Sequence, residues 1–420
     1  MAINPALLST LLVCLAYFCF ALLDNIYSPC LLDIMEVTSS TLAEVSIALS
    51  MNNAFYCMGC LLFGWMSDKM DRRDMIAFSL MFAAATASVT PFLKDSGTLI
   101  VCLSINGLFL AGIDVGCNCW MLQTWGSHSN PFLHAMHFCF AVGNVVVPLM
   151  SAPFLSTKEV VKNQLETMRD VNMTYVYVES DSGIAVPFSI ATGATLSCAF
   201  LIIIHRLIMT KSTTSASHEI IDDRIPGMEE GQQSSKQREI IVMVIGGCLI
   251  FFYAPMELLS LIYLPEFLVY SAQQHRKSRA TYMLGVLTVC YAISRAVSIL
   301  AAKWIRARTL MITNLSLLLV ALMIQLMFVN TSVLMTWISC AAMGAGFGST
   351  LPSIIALVNQ KTGARDMSGP LLFLARLVIV PMTLIMGYLL EEMPLFFVYF
   401  NLSCYVLVCL SLTVLLKVDV

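Results

Sequence analysis

Apolar residues fall in long runs along the whole chain, separated by short polar turns. A hydrocarbon core of about 30 Å needs about 20 such residues per crossing. Twelve runs are long enough: 7–31, 45–66, 74–92, 98–121, 133–153, 184–208, 240–264, 281–302, 310–329, 333–357, 367–390 and 394–416. None alternates strictly between apolar and polar, so each reads as a helix and not as a strand of a closed barrel, the two forms that satisfy their backbone hydrogen bonds in lipid. The pattern predicts an all-α membrane protein with twelve transmembrane helices. The first run does not read as a signal peptide, because no basic segment precedes it and Asp24 and Asn25 interrupt it.

Composition agrees with a lipid environment. Of 420 residues 58% are hydrophobic and 12% charged, with a mean hydropathy of +0.82, against roughly 45–50% apolar in soluble domains. Nearly all of the 15 cysteines fall inside the runs, where they read as small packing residues and not as a disulfide framework. Cys117 and Cys119 lack the partner ligands of a zinc site. No resident cofactor or metal is expected, and no nucleic-acid partner.

Lysine and arginine set the orientation. With the N-terminus in the cytoplasm, 14 of the 23 basic residues fall in inner segments, seven in outer ones, and Arg295 and Arg376 inside runs. That bias obeys the positive-inside rule and puts both termini in the cytoplasm. The sequon at Asn172 then lies in the longest outer loop, where a glycan can be attached. The sequon at Asn330 lies in a hairpin too tight against the bilayer for one.

A polar, Ser-rich, charge-mixed stretch that cannot bury a core divides the chain six runs to six. The expected organisation is an N-terminal half 1–208, a cytoplasmic linker 209–239 and a C-terminal half 240–420. Two six-helix halves meeting at a central cavity are the major facilitator architecture. The segment GWMSDKMDRR after the second run resembles that superfamily's cytoplasmic motif through Gly64, Asp68, Lys69, Arg72 and Arg73, with Asp71 where the motif has glycine. The glycine is expected to let two helices approach closely, and the charges to bond neighbouring helix ends and lock an inner gate. In the second half, the corresponding run Ala301 to Thr309 keeps basic residues without the Gly and Asp.

Six ionisable residues lie inside runs: Asp24, Asp114, His137, Glu257, Arg295 and Arg376. Each costs about 2.5–3.5 kcal/mol at a helix centre even on a mild scale, so each is a functional candidate, with structural pairing as the alternative. Helical spacing puts Tyr17, Ala21, Asp24 and Ser28 on one face, Gly107, Ala111, Asp114 and Asn118 on another, and His134, His137, Ala141 and Asn144 on a third. Asp24 and Asp114 lie at different depths, so one can bind solute while the other exchanges a coupling ion. A desolvated carboxylate carries a proton, whereas several oxygens together hold sodium transiently at Asp24 or Asp114. Glu257 shares a face with Tyr253 and Ser260, and Arg295 with Tyr291 and Ser298. Arg376 needs an acceptor, for which Glu257 is a candidate. Trp120, Trp125 and Tyr253 are candidate sugar platforms or, for the tryptophans, interface anchors. The glycines of MGAGFGS, Met343 to Ser349, favour close helix packing, since no lysine follows to make a phosphate loop.

The run AGIDVGCNCWMLQTWGSHSNPFLHAMHFCFAVGN resembles the sodium-dependent glucose transporter branch of the major facilitator superfamily through Gly112, Asp114, Gly116, Asn118, Trp125, Gly126, Pro131, Ala135, His137 and Phe138. Asp24, Pro29 and Asp33 match its first-span pattern, while His134 replaces an expected glutamine. The resemblance implies a plasma-membrane hexose carrier coupled to sodium or a proton, with Asp24 and Asp114 as its acids. Candidate substrate and cation contacts are therefore Asp24, Asn25, Asp114, Asn118, His137, Asn144, Glu257, Arg295 and Arg376. The expected partners are a monosaccharide and membrane lipid, with the protein monomeric. Three other readings stay open: a carrier of organic anions, a facilitative uniporter, and a non-transporting sensor or scaffold. An enzyme is not expected, because no nucleophile, base and oxyanion constellation appears.

Overall fold

The computed structural model describes residues 5–156, 158–161, 176–179, 182–212, 233–301, 304–305, 307–362 and 368–417. Twelve helical segments are long and apolar enough to span a membrane. In order they are Pro5–Thr38, Leu42–Met66, Arg72–Phe92, Ser96–Trp125, Pro131–Phe154, Ala185–Ile208, Ile240–Tyr270, Lys277–Ser298, Arg308–Phe328, Val333–Lys361, Phe373–Leu390 and Phe396–Lys417, here spans one to twelve. Asn172 lies outside the described residues, as do the linker positions 213–232. The candidate spans on either side end at Ile208 and begin at Ile240, with helix reaching into the predicted linker as far as Ser212 and again from Gln233. Among the described residues the only strands form a short antiparallel ribbon between spans five and six, Lys158–Val161 with Val176–Glu179.

The largest differences from the predicted edges have a common cause. Span one runs past residue 31 to Thr38, span seven past 264 to Tyr270, and span eight starts at Lys277 and not at 281. Asp33, Glu36, Glu266 and Lys277 sit in those extensions. Their charge ends an apolar run in the sequence, yet Asp33 and Glu266 are wholly buried against other helices.

Within each half, the second and fourth helices lie in close contact through a glycine. A Cβ at Gly107 of span four would collide with the Asn52 carbonyl of span two. A Cβ at Gly344 of span ten would collide with the Leu287 carbonyl of span eight in the same way. The MGAGFGS glycines thus serve packing, as expected. Gly64 departs from its prediction, since a Cβ there meets nothing within 4 Å. No close helix approach requires it.

With twelve crossings, both chain ends lie on one side, the terminal side, and the ribbon lies on the opposite, loop side. The halves are joined toward the loop side. Ser28 donates to the carbonyls of Leu261 and Ile262 at 2.7 and 2.8 Å, Tyr263 donates to Ser46 Oγ at 2.7 Å, and Ser50 donates to the Val380 carbonyl at 2.6 Å. At the outermost point Lys277 Nζ lies 2.8 Å from Asp33 Oδ1, 2.7 Å from Glu36 Oε1 and 2.7 Å from Ser156 Oγ. Asp33 also accepts from Ser182 Oγ at 2.6 Å. Ile26, Tyr27, Ser28 and Tyr263 are buried beneath this latch.

Candidate functional site

Proline shapes the centre of span one. Pro29 has no N–H and its ring crowds the carbonyl four residues back, that of Asn25. The regular hydrogen bonding accordingly lapses at Ile26, whose backbone stays in the right-handed helical region, so Asp24 and Asn25 sit beside a local interruption in an otherwise continuous helix.

Asp24 Oδ2 accepts from Arg376 Nη2 of span eleven at 3.3 Å. The acceptor that Arg376 needs is thus Asp24, not Glu257. The guanidinium also lies 4.6 Å from the ring centroid of Tyr56, a cation–π contact. The Tyr56 hydroxyl in turn donates to Asp114 Oδ2. Tyr17 donates to Asp114 Oδ1 at 2.5 Å and Asn118 Nδ2 to the same oxygen at 2.9 Å. Among the described residues Asp114 has three neutral donors and no ion-pair partner, and it keeps partial access to solvent. The two acids do not touch. Tyr17 and Asp24 are two helical turns apart on span one, about 10 Å, and the chain Asp24, Arg376, Tyr56, Asp114 links them across both halves.

The His137 ring stands edge-on to Tyr17 with centroids 5.2 Å apart, half-buried. Asn25 Nδ2 donates to Asn144 Oδ1 at 2.7 Å. In the second half, the buried Glu257 accepts from Tyr291 at 2.7 Å. Arg295 lies over the Tyr291 ring at 5.0 Å and donates from Nε to the Gly348 carbonyl at 3.2 Å. That carbonyl is available because Pro352, four residues on, has no N–H to give it. The aromatic candidates do not line this centre. Trp125 Nε1 donates to Thr10 at 2.8 Å and its ring stacks on Phe132 at 3.7 Å, Trp120 packs on His205 at 5.8 Å, and Tyr253 is wholly buried, donating to the Phe347 carbonyl at 3.1 Å.

Solvent reaches Asp24 and Arg376, whose side chains are 13% and 23% exposed, while the loop side above them is sealed. The way in to these side chains therefore lies toward the terminal side. At that mouth Asp71 takes over the turn where the motif has glycine: its carboxylate accepts from the Arg73 backbone N–H at 2.9 Å and caps the helix of span three. The Arg73 side-chain hydrogen bond, then its backbone N–H and charge, hold the Asp71 carboxyl below the usual carboxylate range against the opposing effect of burial. Its contribution is present above the ordinary carboxylate pKa and is lost as pH falls through the lowered value. Arg72 donates to Gln123 Oε1 at 2.6 Å and Lys69 lies over the Trp65 ring at 3.4 Å. Asp68 is exposed. These bonds stay within the first half, as they should on the open side of a two-sided gate.

The Asp24–Arg376 pair is open to a direct test. In a double-mutant cycle with Asp24→Asn and Arg376→Gln, the coupling free energy from thermal unfolding should be about 1–3 kcal/mol. Additive effects would mean that the pair does not form.

The sequence did not reveal Tyr56 or Lys277. Tyr56 follows the polar pair Asn52 and Asn53 within an apolar run, a signal that was there to read. Lys277 counted only as an outer-loop charge.

The fold agrees with what known proteins show. The model of the Major Facilitator Superfamily matches residues 13–369. The chain is 24% identical over 352 residues to mouse sodium-dependent glucose transporter 1A, covering 80% of this chain and 79% of the relative. It is 21% identical over 361 residues to human sodium-dependent glucose transporter 1, covering 84% and 67%. With the frog protein of that name, from Xenopus laevis, it is 22% identical, and the match spans 66% of that relative's length. Among solved structures, a bacterial homologue of the lysosomal transporter Spinster, in an inward-facing and unoccupied conformation, superposes with a TM-score of 0.69 at 12% identity over 100% of this chain and 99% of that one. The xylose transporter XylE from E. coli gives 0.67 at 12% identity over 97% and 98%. Twelve candidate spans and a family model matched over most of the sequence lead to one assignment: the chain belongs to the Major Facilitator Superfamily, a family of membrane transporters and not of enzymes.

Proposed function

We propose that the protein is a secondary active transporter that moves a glucose-like monosaccharide across the plasma membrane by alternating access, coupled to sodium or a proton. The observation that carries this reading is Asp114, a carboxylate at the centre of a solvent-reached cavity, held by neutral donors from spans one, two and four. Three neutral donors orient a carboxylate without cancelling its charge, which leaves that charge for a cation. The names of the mouse, frog and human relatives support sodium and glucose.

In this reading the terminal side is cytoplasmic, supported by the excess of lysine and arginine there, and the structure is the inward-facing state. Solute and ion bind between the halves, and their combined affinity biases the balance of outward-open and inward-open forms. Asn118 and His137 contact the solute, and Asn172 carries an outer glycan. The Asp24–Arg376 pair favours a neutral solute over an organic acid, because the arginine's charge is already matched within the protein.

The test is uptake of labelled glucose and fucose into cells expressing the protein, with sodium present or replaced and outer pH varied. The expected result is cation-dependent accumulation of one of the two sugars. Equilibration without accumulation would make the protein a uniporter. With the protein at the surface and no flux of either sugar, the hexose reading is wrong.

A further inference from the structure

Between the halves, just loop-side of Asp24, lies a void lined by Asn25, Ser28, Asn144, Pro148, Leu261 and Thr288, with Val147 and Leu284 closing it. Its free volume is only about 10 Å³, room for one water-sized sphere. Three of its lining residues share a property that follows from sequence alone. Pro29 lies four residues after Asn25, Pro148 four after Asn144, and Pro265 four after Leu261. A proline inside a helix supplies no N–H to the carbonyl four residues back, so each of these three residues has a backbone carbonyl without its helical donor. Three different spans, one, five and seven, thus bring one such residue each to one water-sized space.

The side chains add oxygen of the same kind. Ser28 Oγ uses its proton on the carbonyls of Leu261 and Ile262, and Thr288 Oγ1 uses its proton on the Gly285 carbonyl at 2.9 Å. Both hydroxyls therefore keep only lone pairs for a further partner. Asn25 gives its amide N–H groups to the Ala21 carbonyl at 3.0 Å and to Asn144 Oδ1, which leaves its own amide oxygen as an acceptor. Ser28, Asn144 and Thr288 are 6%, 5% and 4% exposed, so the environment is largely closed.

We propose that this void is a binding site for a small monovalent cation, sodium, held by neutral oxygens of Asn25, Ser28, Asn144, Leu261 and Thr288. Neutral carbonyls and hydroxyls take up no proton near neutral pH, and with no carboxylate among the lining residues the site offers a divalent ion nothing to offset its second charge. The site draws Asn25, Ser28 and Asn144 from the first half and Leu261 and Thr288 from the second, so it is complete only when the loop side is shut. An ion bound there stabilises the closed loop side by mass action, while the half-buried Asn25 faces the cavity through which the ion leaves. The inference rests on the cation-coupled reading above and gives sodium a place apart from Asp114, so that the cation left to the Asp114 carboxylate is a proton.

The experiment is equilibrium binding of radiolabelled sodium to the purified full-length protein in lipid nanodiscs at fixed pH, with unlabelled sodium, lithium and potassium as competitors. Thr288→Val is isosteric and removes one oxygen, Thr288→Ser retains it, and Pro148→Ala returns a helical donor to the Asn144 carbonyl without removing any side-chain oxygen. Wild type, Thr288→Ser and Asp114→Asn should bind sodium saturably, and Thr288→Val and Pro148→Ala should bind it at least about tenfold more weakly. Equal melting temperatures in potassium confirm that each variant is folded. Sodium binding unchanged in Thr288→Val and Pro148→Ala but lost in Asp114→Asn would overturn this site while leaving sodium coupling standing. No sodium binding by wild type would overturn the site and the sodium form of the functional reading together, and equal competition by potassium would overturn the choice of ion.

Discussion

Asp114→Asn should abolish accumulation of solute while leaving exchange of solute across the membrane intact. The substitution keeps the shape of the side chain and an oxygen for the Tyr17 hydroxyl, so the cavity wall stays in place. What it removes is the negative charge to which Tyr17, Tyr56 and Asn118 donate. Hydrogen bonds to a charged group contribute about 1.5–3 kcal/mol each, and losing one such difference changes an equilibrium by roughly 10- to 150-fold. Cation-driven uptake measured against a gradient should fall by at least that factor, with counterflow of labelled solute preserved. An Asn variant that still concentrates solute would remove Asp114 from the coupling step.

Lys277→Met should shift the protein strongly toward a form open on the loop side. Asp33 is wholly buried, and its ammonium partner is only 17% exposed. Removing one member of a buried ion pair leaves the other desolvated and uncompensated, at a cost of about 3–5 kcal/mol. Opening relieves that cost by returning Asp33 to water, so the closed fraction should drop by roughly 10²- to 10³-fold or more. Spin-label distances between the loop-side ends of spans one and eight measure this directly, and a longer separation is expected in the variant. The double variant Asp33→Leu with Lys277→Met should recover much of the closed population, since no buried orphan charge remains and Glu36, with its side chain 39% exposed, keeps its water. Identical distance distributions in wild type and Lys277→Met would mean that the ion pair is not a latch.

Both predictions turn on contacts that the sequence shows very unequally. Spans are readable because lipid imposes length and hydropathy on every crossing, and helical period put Asp114 above Asn118 and Tyr17 on the face of Asp24. Within one helix, 3.6 residues per turn is enough to align side chains. Between helices nothing in one sequence says which faces meet. Tyr56 lies 58 residues from Asp114 and Arg376 lies 352 from Asp24, and only packing brings them together. Hydropathy also trimmed the loop-side helix ends that carry Asp33 and Lys277, because it treats charge as a mark of solvent even where a salt bridge lets it be buried. Gly64 shows the converse error: a motif glycine suggested close packing at a position where there is open space.

Asp33 has one more consequence, through the serines it holds. Ser156 donates to it from both backbone N–H and hydroxyl, at 2.8 and 3.0 Å, and Ser182 from its hydroxyl. Beside them the Gly183 N–H donates to the Phe154 carbonyl at 2.9 Å. The two ends of the 157–181 stretch are thereby pinned to a single point on the rim of the bundle. A segment tethered in this way has a closure entropy that changes by only about 0.6 kcal/mol when its length doubles. Its length and composition are free to diverge between related proteins, or to accept an inserted epitope, without changing the register of the helices on either side.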